Sequence, residues 1–250
     1  MKKTFRFVGL MIILMSVCLT SCGGDDDVSG NGNGSSVQDK HITMIEYQSG
    51  DEHIILNINY DIKGRIISAY KNTESPNQYT IEYTDNMIKY SIFNYIEYSL
   101  LDNHVVSARN SYKYNYGYSY NNNNIISCTE TGDNYTNSFD YTWSNGNITK
   151  ITLNNKDDIS IEYTNYKWPT NYVFLYIFFE FGSVSSGAYG IPWILMQEGY
   201  CGNRPKNLPH KIGTSEYTYT MDDDYPIKVN IKSSTTDGRT LEAIYNLIWN

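Results

Sequence analysis

The residues with chemical capacity in this 250-residue chain are scattered, and their spacing settles most of them. His41, His53, His104 and His210 stand apart, without the two-histidine helical spacing that holds zinc in a protease. Ser68-Ala-Tyr-Lys71 has the letters of a serine–lysine nucleophile pair. That chemistry needs a helical turn to bring hydroxyl and amine together, whereas here the segment alternates and Ser68 and Lys71 face opposite sides of a strand. Ser185 lacks the glycines of a nucleophile elbow. Asp222-Asp-Asp224 offers oxygen ligands of the kind calcium takes, but with Pro226 close behind it reads as a polar turn. Glycoside hydrolysis needs two carboxyl groups at a set separation in space, and Glu82, Glu97 and Glu162 are adequately explained as residues on the wet face of strands. No catalytic residue, metal ligand or cofactor is therefore assigned. The array with binding chemistry is Tyr112, Tyr114, Tyr116, Tyr118 and Tyr120, five rings on one side of one expected strand. Such a wall can stack a sugar or another planar ligand. With 25 tyrosines in the chain, packing in the core or across the sheet is the plainer explanation.

The elements that must position these residues are hairpins. Ile54, Leu56, Ile58 and Tyr60 alternate with other residues, which is the period of a strand with one buried face. Asp61-Ile-Lys-Gly64 then reverses the chain, because Gly64 tolerates a positive φ and Asp61 can bond its own backbone. Similar reversals follow at Asp85-Asn86, Asp102-Asn103, Asn121 to Asn124, Asn145-Gly146 and Asp237-Gly238. Repetition at intervals of about twenty residues gives one hairpin per period, and a run of hairpins is an antiparallel meander. The alternation predicts strands at 42–48, 53–61, 65–71, 78–84, 87–93, 95–101, 104–110, 112–120, 124–130, 137–144, 147–153 and 158–165, then at 215–221, 226–233 and 240–249. The fold class is all-β, a meander strongly curled or partly closed into a barrel.

Residues 166–212 break the rhythm as an apolar insertion. Tyr172 to Phe179 and Ile191 to Met196 are continuous apolar runs, too short to span a bilayer as helices. Pro192 suits a first helical turn and Gly199 a stop, which predicts a short helix over about 192–198. An apolar segment needs cover, and residues 172–198 are expected to plug the concave side of the sheet.

The N-terminus gives an address. Lys2, Lys3 and Arg6 precede an apolar run from Phe7 to Leu19, the layout of a signal peptide over residues 1–21. Leu19-Thr-Ser-Cys22 resembles the lipobox of bacterial lipoproteins, which implies a lipid on Cys22 and attachment to a membrane through it. Gly23-Gly-Asp-Asp-Asp27 resembles the acidic export tag of surface lipoproteins in some Gram-negative anaerobes. Residues 22–40, rich in Gly, Ser and Asn, form a flexible acidic tether to a single β domain over 41–250. Loss of residues 1–21 leaves 16 basic against 27 acidic residues, a formal charge of −11. That balance argues against nucleic acid as a partner. Cys128 and Cys201 remain, either paired in an oxidising envelope or buried as two thiols.

The signal, the tether, the tyrosine-rich hairpins and Gly199-Tyr-Cys-Gly-Asn-Arg-Pro-Lys-Asn-Leu-Pro209 together resemble an uncharacterised family of Gram-negative lipoproteins described as having a porin-like β fold. The resemblance implies a fold and an outer-membrane location and lends no catalytic residue. Tyr60-Asp-Ile-Lys-Gly-Arg65 also resembles a single YD repeat of large secreted shell proteins. The leading expectation is a surface-exposed outer-membrane lipoprotein with a non-enzymatic binding or structural role, for a glycan, peptide or lipid. The alternatives are a glycan-processing enzyme and a membrane-spanning barrel, the latter suggested by the alternation and by Tyr245-Asn-Leu-Ile-Trp249. Protein partners are not specified by the sequence.

Overall fold

The computed structural model describes residues 40–72, 78–91, 95–172, 190–234 and 238–250. The expected signal, Cys22, nearly all of the tether and residues 173–189 of the apolar segment lie outside them. The first eight strands are β1 (Ile42–Ser49), β2 (Glu52–Tyr60), β3 (Ile66–Lys71), β4 (Gln78–Tyr83), β5 (Met87–Ser91), β6 (Tyr95–Leu101), β7 (His104–Asn110) and β8 (Asn115–Asn121). Then follow β9 (Asn124–Thr131), β10 (Thr136–Ser144), β11 (Asn147–Leu153), β12 (Asp157–Lys167), the helix α1 (Trp193–Gln197), β13 (Asn207–Ile212), β14 (Ser215–Asp222), β15 (Tyr225–Ser234) and β16 (Thr240–Trp249).

Each strand pairs antiparallel with the next, and β1 pairs with β16, so the meander closes into a sixteen-stranded barrel. The seam sets Ile45 opposite Leu247, and His41 and Asn250 exchange two backbone hydrogen bonds of 2.9 Å. Closure removes both sheet edges, so neither terminal strand is left with unpaired backbone groups. The expected insertion over 166–212 is shorter than its sequence suggests. β12 runs to Lys167, and Asn207–Ile212 is a wall strand despite Pro209. The expected strand over 112–120 begins at Asn115. The Asn110 side-chain oxygen accepts from the amides of Tyr112 and Tyr114, and Lys113 takes φ 68°, which makes 111–114 a turn.

The period-two pattern sorts the wall into a dry interior and a wet exterior. Ile88 and Tyr90 point into the core while Lys89 between them pairs outward with Glu97, Nζ to Oε1 3.4 Å. Outward pairs of the same kind are Lys150–Asp158 at 3.2 Å, Lys211–Glu216 at 3.9 Å and Lys232–Glu242 at 3.6 Å. Glu162 and Lys211 are also cross-strand neighbours. Inside, one continuous core joins buried residues of the wall strands to Ile191, Trp193, Ile194, Leu195 and Met196. Each fully buried aliphatic side chain there contributes about 1.5–3 kcal/mol relative to exposure.

One device recurs around the barrel. In the β6–β7 ladder Ser99 pairs with Ser107 but Leu100 with Val105, so Val106 is an extra residue, a β-bulge. The bulge takes the Val105 carbonyl out of the ladder, and the Tyr120 hydroxyl, entering from β8, donates to it at 2.7 Å. The same relation joins Tyr60 to Ile42, Tyr83 to Ile66, Trp143 to Ile125, Tyr163 to Ile148, Tyr219 to Pro209 and Trp249 to Pro226, at 2.7–2.9 Å. Each of these carbonyls lies at a register shift. The exception supports the reading. The β4–β5 ladder runs without a shift, and β6 carries Leu100 at the corresponding place. The tyrosine-flanked repeat is thus a bulge and its cap, an amphipathic ring with a dry body and a donor at its tip.

Candidate functional site

The bulged ends of the strands form one mouth of the barrel. There the connections are tight: Asp102 and Asn103, Asn122 and Asn123, and Asn145 and Gly146 all take positive φ, as two-residue hairpin turns require. The long connection between β12 and β13 also leaves and returns at this mouth, and Lys40, where the tether would enter, lies here too, its carbonyl accepting from the Asn171 amide at 3.4 Å.

α1 occupies 193–197, within the helix expected at 192–198. Pro192 precedes it, the Met196 amide bonds the Pro192 carbonyl at 2.9 Å, and Gly199 at φ 86° ends it. All five residues are buried. The one polar member, Gln197, accepts from the Trp168 indole N–H at 2.9 Å, so its carboxamide enters the core with a partner. Beyond the helix the Tyr200 carbonyl receives the Val105 amide, and Gly202 bridges to Asn124, which seats the segment against the wall.

Glu198 follows α1 and meets the β2–β3 hairpin. Its Oε1 accepts from the Ile66 amide at 3.0 Å and its Oε2 from the Tyr83 hydroxyl at 2.7 Å. Burial pushes this carboxyl up to about 7, against the opposing pull of Tyr83, the Ile66 amide and Arg65. Arg65 lies over the Tyr83 ring, 4.1 Å from its centre, and donates to the Tyr200 hydroxyl at 3.1 Å. Its Nε and a terminal nitrogen both reach Asp61 Oδ2, at 2.8 and 2.7 Å. Asp61 Oδ1 accepts the Lys63 and Arg65 amides at 2.9 and 3.0 Å. Burial works against ionisation of Asp61, but those amides and the guanidinium outweigh it and hold the carboxyl below its ordinary range. The segment that resembles a YD repeat is therefore a locked hairpin loop.

Beside it opens a cavity of about 200 Å³, lined by Tyr60, Arg65, Ile66, Gln197 and Glu198, with Gly64, Lys63 and Asn171 completing it. Asp61 does not line it, and both its oxygens are engaged. Among the described residues the cavity thus presents one carboxyl group and not the opposed pair that glycoside hydrolysis uses.

The structure divides the five tyrosines. Tyr116 and Tyr118 are buried in the core, and Tyr120 is the bulge cap described above. Tyr112, 53% exposed, and Tyr114 stand at the opposite mouth, where Tyr114 meets Tyr135 edge-on with ring centres 5.6 Å apart. Cys128 and Cys201 are both buried and are not joined in a disulfide. His104 bonds Asn123 Oδ1, His41 tilts against Tyr60, and Asp222 ends β14, with Asp223 and Asp224 forming the turn to β15. Nothing in the sequence singles out Glu198, because a glutamate after a short helix carries no signal until the fold sets it against Ile66 and Tyr83.

No family model matches the chain, and no curated protein matches it. Among solved structures it is similar to a porin-like protein from Bacteroides uniformis ATCC 8492, with 14% identity and a TM-score of 0.59 over 84% of this chain and 98% of that one. It is similar also to a porin-like protein from Bacteroides vulgatus ATCC 8482, with 15% identity and the same TM-score over 85% of this chain and 99% of that one. At such identity the likeness is one of fold: this chain has the porin-like β fold that the resemblance implied, and the meander expected from its hairpins closes completely.

Proposed function

We propose that this chain is a lipoprotein of the outer membrane, held through Cys22 and displayed at the cell surface, whose barrel is a non-enzymatic binding or structural domain. The observation that carries the reading is the polarity of the wall. Its outer face bears Lys89–Glu97, Lys150–Asp158, Lys211–Glu216 and Lys232–Glu242 among a few exposed apolar residues such as Ile126 and Ile227, while most of the large apolar side chains fill the interior. A barrel that spans a bilayer has the reverse arrangement, and a lysine near the midplane of its lipid face costs about 2–4 kcal/mol. A domain with a charged outer face stays in water and needs a tether to remain at a membrane. The lipobox and the Gly/Ser/Asn stretch supply one, and the one carboxyl that the described residues bring to the cavity favours binding over hydrolysis.

The test is fractionation of cells carrying the wild-type chain or Cys22→Ala, together with labelling by a fatty-acid analogue. Labelled wild-type protein in the outer membrane, and unlabelled Cys22→Ala protein in the soluble fraction, are expected. Retention of Cys22→Ala in membranes after an alkaline wash would indicate an inserted barrel. Accessibility of intact cells to an external protease reads surface display.

A further inference from the structure

We propose that the cavity between the β2–β3 hairpin and the end of α1 is a binding site for a small neutral polyol, a single sugar ring in size. The proposal rests on the reading of this chain as a binding protein and adds the place and the class of ligand.

Most of the donors and acceptors around the cavity are fixed by a second partner. Gln197 is held by its oxygen on the Trp168 indole, which turns its two N–H donors away from that contact. Asn171 spends its amide nitrogen on the Lys40 carbonyl, which leaves its oxygen as an acceptor. Glu198 is fixed by the Ile66 amide and the Tyr83 hydroxyl and retains further acceptor capacity on both oxygens. Lys63, exposed on the hairpin loop, adds a mobile donor at the rim. Tyr60 supplies an aromatic wall that cannot swing, since its hydroxyl is bound to the Ile42 carbonyl and its ring rests on His41, 4.6 Å between centres. Donors and acceptors therefore face one small space beside a ring. A hydroxyl group is both donor and acceptor, so a ring carrying several hydroxyls can satisfy such a set.

Charge narrows the class. Arg65 is neutralised by Asp61 at 2.7 Å, and Glu198 has its ionisation opposed by burial. Lys63 at the rim disfavours an ammonium ligand, and an anion would find Arg65 already paired with Asp61. A neutral ligand meets neither penalty. The cavity is also preorganised, because its fixed groups lose little freedom when a ligand enters.

The experiment is saturation-transfer NMR and calorimetry on the full-length protein with glucose, galactose, fucose and N-acetylglucosamine, and with glucuronate and glucosamine as charged counterparts. Binding of at least one neutral sugar is expected, weaker by about tenfold in Lys63→Ala, which removes a rim donor, and in Asn171→Gly, which removes a rim acceptor at a position whose φ of 63° glycine tolerates. Tyr112→Ala, at the far mouth, is expected to bind as the wild type does. No binding across the neutral panel overturns the proposal, and so does binding that Tyr112→Ala abolishes while the two rim variants leave it unchanged. Stronger binding of either charged sugar overturns the ligand class. Loss of sugar binding with intact labelling at Cys22 separates a failure here from a failure of the lipoprotein reading.

Discussion

The hydroxyl of Tyr120 donates to the carbonyl of Val105, 2.7 Å away, at the point where β7 carries one residue more than its partner β6. The bulge frees a carbonyl inside a closed wall, and the tyrosine of the following hairpin satisfies it. Without the donor, that carbonyl would be a buried acceptor with no ladder partner. Tyr120→Phe keeps the ring and removes the hydroxyl, and it should cost about 1–3 kcal/mol in urea unfolding. Leu100→Phe, at the corresponding place facing the unbulged β5, removes no donor and should show no such hydrogen-bond loss. Equal stability of Tyr120→Phe and wild type would show that the cap is dispensable.

Glu198 links stability to pH. Its folded value of about 7 lies above the ordinary glutamate value of 4.5, so the fold favours the protonated form. The contribution is full below the lower value and is lost as pH rises through the upper one, making the barrel roughly 3 kcal/mol less stable at pH 8 than at pH 4 on account of this residue. Glu198→Gln keeps an acceptor for the Ile66 amide and cannot ionise. The gap in unfolding midpoint between variant and wild type should therefore shift in favour of the variant as pH rises from 4 to 8. A constant gap would refute the coupling.

Gly202 holds the returning segment against the β8–β9 turn. It takes φ 75°, its neighbour Asn203 donates to the Asn123 carbonyl at 2.7 Å, and a Cβ added at 202 would collide with that same carbonyl oxygen. Gly202→Ala should cost about 2 kcal/mol or more, the sum of a left-handed alanine and a displaced turn. Thermal melts and proteolysis between residues 190 and 206 would report it, and wild-type behaviour in both would mean that the contact yields without strain.

The two thiols of the β domain should be silent in the native protein. Burial pushes Cys128 up to about 12, which leaves about one thiolate in ten thousand at pH 8, and Cys201 is fully enclosed. Both should react with a disulfide reagent only on unfolding. Native-state labelling of either would show that the core opens more readily than its packing implies.

Much of this fold is legible in the sequence because hairpins are local. Alternation such as Ile88, Tyr90 against Lys89 fixes which face is dry, and Asn145-Gly146 fixes where the chain turns, whatever lies elsewhere. The helix at 193–197 is legible too, from Pro192 and Gly199. β13 is not, because Pro209 lacks a donor and the strand's ladder to β12 is broken by register shifts, so only its neighbours make it a strand. Neither is the purpose of the tyrosines, since Tyr112 and Tyr120 share a parity but one stands in water and the other caps a bulge. Closure itself was decided by tertiary structure. Ile45 meets Leu247 only if the twist accumulated over sixteen strands returns β16 to β1, and the cavity exists only because Glu198 meets Ile66 from 132 residues away. Local periodicity specifies faces and turns, while a seam or a site depends on where distant segments arrive, which no short window of sequence encodes.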